Sequence, residues 1–136
     1  MKRYVPILLL SLGLFGSISV VQLTRQEEPK PLTLAEFYKH TGDKSKTVLV
    51  YFHANWCRVC LKMQPVMQKV DSLYKSRIDI LSIDTDRDKE VAEEFEVNSL
   101  PLFKVYKRGI CQWTHVGLIS EKDLFDKLNL YATPDN

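Results

Sequence analysis

The chain has 136 residues, 45% of them apolar and 26% charged, the composition of a folded domain rather than of a disordered or collagen-like chain. Its net charge of +2 does not mark a nucleic-acid binder: of the 19 basic residues, Lys2 and Arg3 precede an apolar run, and the remaining 17 match the 17 acidic ones, so no basic face is expected. Three cysteines are too few for the disulfide framework of a small secreted domain.

Residues 4–24 carry no charge, and residues 5–23 read VPILLLSLGLFGSISVVQL, roughly 19 residues and about long enough to cross a bilayer as a helix. With Lys2 and Arg3 ahead of it, residues 1–23 are expected to form a signal anchor that leaves the rest of the chain outside the cytoplasm, in the periplasm or its equivalent. A cleaved signal peptide is the alternative, with Ser17-Ile18-Ser19 as its small-residue site. The run is apolar all round, unlike the striped surface of a core helix. Residues 24–31, TRQEEPKP, are polar, contain two prolines and read as a short tether. The folded domain is expected over 32–131, with a polar tail at 132–136.

Within that domain, Thr33 and Glu36 have capping-box spacing. Leu34, Phe37 and Tyr38 give the following short helix an apolar side, and Gly42 ends it. Residues 47–53, TVLVYFH, are β-branched and aromatic and read as a buried strand. Residues 59–74 place Met63, Val66, Met67, Val70 and Leu73 at helical spacing, with the methionines as core fillers. A strand over 78–84 and a helix over 88–95 follow. The acidic series Asp84, Asp86, Asp88, Glu90, Glu93, Glu94 and Glu96 is expected to be a solvated face. Residues 102–107 and 110–116 flank Arg108-Gly109 as a hairpin, and Ser120 caps a last helix that carries Leu124, Phe125, Leu128 and Tyr131. Cys111, early in the second hairpin strand, is expected to be a small buried hydrophobe, and Trp113 to pack on the sheet. Alternating strands and helices followed by a hairpin and a helix predict an α/β sheet covered on both faces, its first two strands parallel.

The chemistry-bearing motif is Trp56-Cys57-Arg58-Val59-Cys60, between a strand and a helix. Cys57 falls at the helix start, where unsatisfied N–H groups and the positive dipole end favour an anion. A thiol in such a place can have its pKa lowered from about 8.5 to roughly 3.5–7.5, and Arg58 adds a fixed positive charge. Cys60 lies three residues on, on the same helix face, so the two sulfurs can close a small reversible disulfide. The spacing supports a relay in which Cys57 attacks a partner disulfide and Cys60 resolves the mixed disulfide. An inert structural disulfide is a competing use of the pair. Zinc is another, but a structural zinc wants four ligands, and only His40, His53, His115 and Cys111 remain. Cys111 and His115 stand about 13 Å apart along a strand. No metal is expected, and with no nucleotide or flavin motif visible, no cofactor.

The segment Val48–Cys60, VLVYFHANWCRVC, together with Pro65, Leu100-Pro101, Gly109, Gly117 and the ending VGLISEKDLFDKL, resembles the thioredoxin family from about Leu32 to Leu130. The resemblance implies the thioredoxin fold, a central mixed sheet flanked by helices. It implies a helix kinked at Pro65 and a cis peptide before Pro101 that sets the Leu100 backbone beside Cys57, where an extended partner segment can pair. Trp56 is expected to shield the active site. The function implied is an extracytoplasmic protein disulfide oxidoreductase acting on protein thiols and disulfides. Its redox partner would be a transmembrane thiol-electron transporter or, for oxidation, a quinone-linked oxidant. A thioredoxin-like binding or chaperone module with a non-catalytic pair is the alternative.

The departures from the family are specific. Tyr51 stands where the family usually has a buried Asp, Ile80 where it has the partnering Lys, and His53 where an aromatic residue is common. Tyr51 and His53 share a strand face, and either could manage protons near Cys60 in place of the missing acid. Arg58-Val59 replaces Gly-Pro and predicts a potential above that of thioredoxin, ~−270 mV.

Overall fold

The computed structural model describes residues 29–132. The expected anchor at 1–23, most of the tether at 24–31 and the tail beyond 132 lie outside the described residues. Among the described residues, no helix is long and apolar enough to cross a membrane.

The elements run α1 (Leu34–Thr41), β1 (Thr47–His53), α2 (Arg58–Tyr74), β2 (Asp79–Asp84), α3 (Lys89–Glu94), β3 (Leu102–Lys107), β4 (Ile110–Val116) and α4 (Glu121–Tyr131). The sheet order is β2-β1-β3-β4. β1 pairs parallel with β2 and antiparallel with β3, and β3 pairs antiparallel with β4. The fold is therefore the expected mixed sheet with helices on both faces. Side chains alternate along β1 as a strand requires. Val48, Val50 and Phe52 pack with Phe37 of α1 and Val91 of α3. Leu49 and Tyr51 pack with Met63, Val70 and Tyr74 of α2 and Leu124 and Leu128 of α4.

Local chemistry sets the element ends. Thr33 and Glu36 form the reciprocal capping box of α1, with the Thr33 amide donating to Glu36 Oε2 at 2.9 Å and the Glu36 amide to Thr33 Oγ1 at 3.2 Å. The Ser120 hydroxyl oxygen accepts from the Asp123 amide at 3.1 Å and caps α4. The β3–β4 hairpin turns on Arg108 and Gly109, whose φ values are 55° and 80°. Two consecutive positive values are those of a two-residue type I′ turn, which continues the twist of its strands.

Two expectations fail for tertiary reasons. Asp88 is not part of a solvated face; it is fully buried. It accepts from the Leu32 amide at 2.9 Å, from the Asp84 amide at 3.0 Å and from the Arg87 guanidinium at 2.6 Å. Burial alone would push its carboxyl up, but the Arg87 guanidinium and the two amides hold it below the ordinary value. Cys111 is exposed, because β4 is the outer strand and a bulge opposite Val105 and Tyr106 shifts its register there. Leu73 lies in α2 as its spacing predicts, at the solvent edge of the stripe, 54% exposed.

Candidate functional site

β1 ends at His53, and the chain turns through residues 54–57 into α2. The Cys57 amide donates to the Ala54 carbonyl at 3.2 Å, which tightens this turn. Cys57 is the N-cap of α2, with an extended backbone (φ −77°, ψ 105°). Its Sγ accepts from the Cys60 amide at 3.2 Å, taking the place a serine or aspartate oxygen holds at an ordinary helix start. Cys57 and Cys60 are joined by a disulfide, with their Cα atoms 5.2 Å apart. The same amide and the unsatisfied N–H groups of the first turn would face a thiolate at Cys57 once the bond opens.

Both cysteines are buried against Ala54, Val59 and Leu100, so the pair sits in an apolar collar. The Leu100–Pro101 peptide is cis, and the Pro101 carbonyl accepts from the Gly117 amide at 2.7 Å. Leu100 is thus brought to the cysteines from the loop before β3, far from them in sequence. Arg58 is exposed beside the pair. Trp56, expected to shield it, is 69% exposed; in the free chain its indole stands in solvent. α2 runs unbroken across Pro65, whose missing N–H leaves the Leu61 carbonyl without its usual helical donor.

On the other side of Cys60 lies a cleft of about 730 Å3 whose walls include Tyr51, His53, Ile80 and Ser82. The Tyr51 hydroxyl lies 3.5 Å from the Cys60 carbonyl oxygen, which it faces as a donor. Burial pushes this phenol up to about 12. His53 stacks on Tyr51, with ring centres 5.1 Å apart, and its Nε2 is 2.8 Å from Ser82 Oγ. Burial lowers the His53 imidazole, and the Asp84 carboxylate opposes that shift. The departures at 51, 53 and 80 therefore line one wall.

Sequence reasoning missed Ser82 and Asp84. The signal was available: they stand two and four residues after Ile80 on the same strand and so share its face. In the parallel register Tyr51 is opposite Ser82 and His53 opposite Asp84. His115 does not join the site; it stacks on Trp113, with ring centres 5.8 Å apart. Among the described residues no three of His, Cys, Asp and Glu gather where they could hold a metal ion.

Comparison with known proteins agrees with this geometry. The family model for thioredoxin matches residues 28–130. Two thioredoxin-like proteins of Synechocystis are 31% and 35% identical to the chain, over 97 and 98 residues. These matches cover 71% and 72% of the chain, and 89% and 93% of the respective relatives. Among solved structures, oxidised mitochondrial thioredoxin 3 of Saccharomyces cerevisiae superposes with a TM-score of 0.63 at 27% identity. That match covers 74% of this chain and 92% of the yeast one. The thioredoxin of Malassezia sympodialis gives a TM-score of 0.65 at 25% identity, over 74% of this chain and 87% of that one.

Proposed function

The chain belongs to the thioredoxin family of thiol–disulfide oxidoreductases, and from that footing we propose that it exchanges disulfides with partner proteins outside the cytoplasm, held at the membrane by residues 5–23. The observation that carries the chemical part is the Cys57–Cys60 disulfide at the start of α2, with the Cys60 amide directed at Cys57 Sγ.

In the reduced protein Cys57 is the nucleophile. Its thiolate attacks a partner disulfide; the partner's S–S bond breaks, a Cys57–partner bond forms, and one partner sulfur leaves as thiolate. Cys60 then attacks Cys57 Sγ, closing the Cys57–Cys60 bond and releasing the second partner thiolate. The partner gains two electrons and the pair loses them; the reverse sequence donates a disulfide. The Cys60 amide and the Arg58 charge stabilise the thiolate at Cys57. Trp56 offers an apolar contact at the rim, and Leu100 and Pro101 present the backbone along which an extended partner segment would lie. Because a stabilised thiolate favours the reduced state, the potential lies above ~−270 mV.

The location rests on the apolar run behind Lys2 and Arg3 and on the polar tether that follows it. A protein so placed would draw electrons from a transmembrane thiol-electron transporter when it reduces its clients, or pass them to a quinone-linked oxidant when it oxidises them.

The full-length Cys60→Ser variant tests both parts in the native cell. It should accumulate mixed disulfides through Cys57 with extracytoplasmic proteins and remain with the membrane fraction. The matching Cys57→Ser variant should trap none. Equal trapping by the two variants supports a binding module instead, and trapped clients confined to the cytoplasm refute the location.

A further inference from the structure

Deepening the exchange reaction above, and resting on it, we propose that the His53–Ser82 pair accepts the proton of the Cys60 thiol, through water in the cleft that both line, when Cys60 attacks the mixed disulfide. Cys60 is 3% exposed, within the apolar collar. A thiol so enclosed does not readily form a thiolate by itself, yet the thiolate is the attacking species. Cys60 is one of the residues that line the cleft. At about 730 Å3 it admits water, and its walls carry His53, Ser82, Asn55 and Gln64 as polar partners.

Two protonatable groups on β1 face this cleft. The Tyr51 hydroxyl is turned to the Cys60 carbonyl oxygen, and burial holds it neutral, at about 12, so it is no acceptor at neutral pH. His53 is held by Tyr51 stacking and by Ser82 at 2.8 Å. With its hydrogen on Nδ1, its Nε2 accepts from the Ser82 hydroxyl. The surrounding charges are mixed. Asp84 on β2 and Asp88 beyond it favour an imidazolium, whereas Arg87 and burial oppose it. Asp71 also lines the cleft, but on α2, eleven residues from Cys60 and so about 16 Å along the helix. Burial leaves the imidazole in its accepting form around neutrality, and the two carboxylates stabilise it once charged.

The Cys60 S–H proton passes to a cleft water, a water proton passes to Ser82 Oγ, and the Ser82 hydroxyl proton passes to His53 Nε2. The Cys60 thiolate then forms the Cys57–Cys60 bond as the Cys57–partner bond breaks. The partner leaves as thiolate, and the imidazolium returns its proton to solvent.

The resolving step can be watched alone. In a Cys111→Ser background, which removes the exposed third thiol, reduced protein is mixed with excess dithiobis(2-nitrobenzoate); Cys57 attacks this aromatic disulfide, one 2-nitro-5-thiobenzoate leaves as thiolate and the other stays bonded to Cys57. Release of the coloured thiolate by Cys60 is then followed by stopped flow across about pH 5–9. The parent rate should rise through a transition below about 6.5, the ordinary histidine value, and then level off. His53→Gln should abolish that transition and slow release roughly 10- to 100-fold at pH 7. Ser82→Ala, at an exposed position, should slow it less and shift the transition. An unchanged profile in His53→Gln, or a loss carried by Tyr51→Phe instead, overturns the proposal. Should His53→Gln fail to fold by circular dichroism, an unchanged Ser82→Ala profile overturns it equally. A parent that releases no dye at any pH sinks the exchange reaction and this proton route with it.

Discussion

On β1, Val48, Val50 and Phe52 point into the face covered by α1 and α3, whereas Leu49, Tyr51 and His53 point into the face covered by α2 and α4. The first series is apolar to its end. It meets Phe37 and Phe95 in an aromatic cluster, with Phe37–Phe95 and Phe52–Phe95 ring centres 4.8 and 5.9 Å apart. The second series grades from leucine to a buried phenol to a half-buried imidazole as it nears Cys60, and there the face opens into the cleft. One strand thus holds the domain together on one side and supplies ionisable chemistry on the other. The closed side lets the open side tolerate polar groups, since hydrophobic burial on one face can stabilise the strand whatever lines the other.

That division predicts that damage to the closed face costs stability and damage to the open face costs rate. Phe52→Ala should destabilise the domain by about 3–5 kcal/mol, the usual range for emptying a packed aromatic site. Below its melting transition it should exchange disulfides at an unchanged rate. A urea titration and an insulin-reduction assay on the same sample check this, and a large rate loss in the folded variant breaks the division.

Asp88→Ala should cost about 3 kcal/mol, because it strands the Arg87 charge and the Leu32 and Asp84 amides. The Asp88 carboxyl is held below its unfolded value. Its contribution is therefore complete above about 3.9 and disappears as pH falls through the lower folded value. Urea titrations should show the gap between wild type and variant narrowing as the pH drops below about 4. A gap independent of pH sinks the electrostatic account of Asp88.

The smallest effect is expected at the rim of the site. Arg58→Gln should leave stability nearly unchanged and make the potential more negative by about 5–20 mV, the scale of a 0.3–1 kcal/mol charge effect at a helix terminus. Equilibration with glutathione measures this, and a shift toward more positive potential contradicts the role given to Arg58.

Much of the fold was legible because its signals are local. The strands at 47–53, 102–107 and 110–116, the Thr33–Glu36 box and the Ser120 cap depend on residues a few positions apart. The cysteine pair was legible for the same reason, since its strand-to-helix setting and its partner lie within four residues. The misses depend on distance. Asp88 looks like one more acid in a charged helix until Leu32, 56 positions earlier, brings its amide to it. Cys111 looks like a core residue until the strand order puts β4 outside. Ser82 gains meaning only through the parallel pairing of β2 with β1.

The bond from the Leu32 amide to Asp88 also settles on which side the chain enters the domain. Asp88 follows the end of β2, and β2 runs parallel to β1, so Leu32 is pinned at the pole where β1 gives way to the cysteines. The other exit is at the opposite pole, where the Thr47 hydroxyl at the start of β1 donates to the Tyr131 carbonyl at 3.0 Å. A purification tag, fluorophore or surface linkage placed ahead of Leu32 would therefore leave from the same pole as the reactive sulfurs, whereas one placed after Ala132 would leave from the pole opposite them.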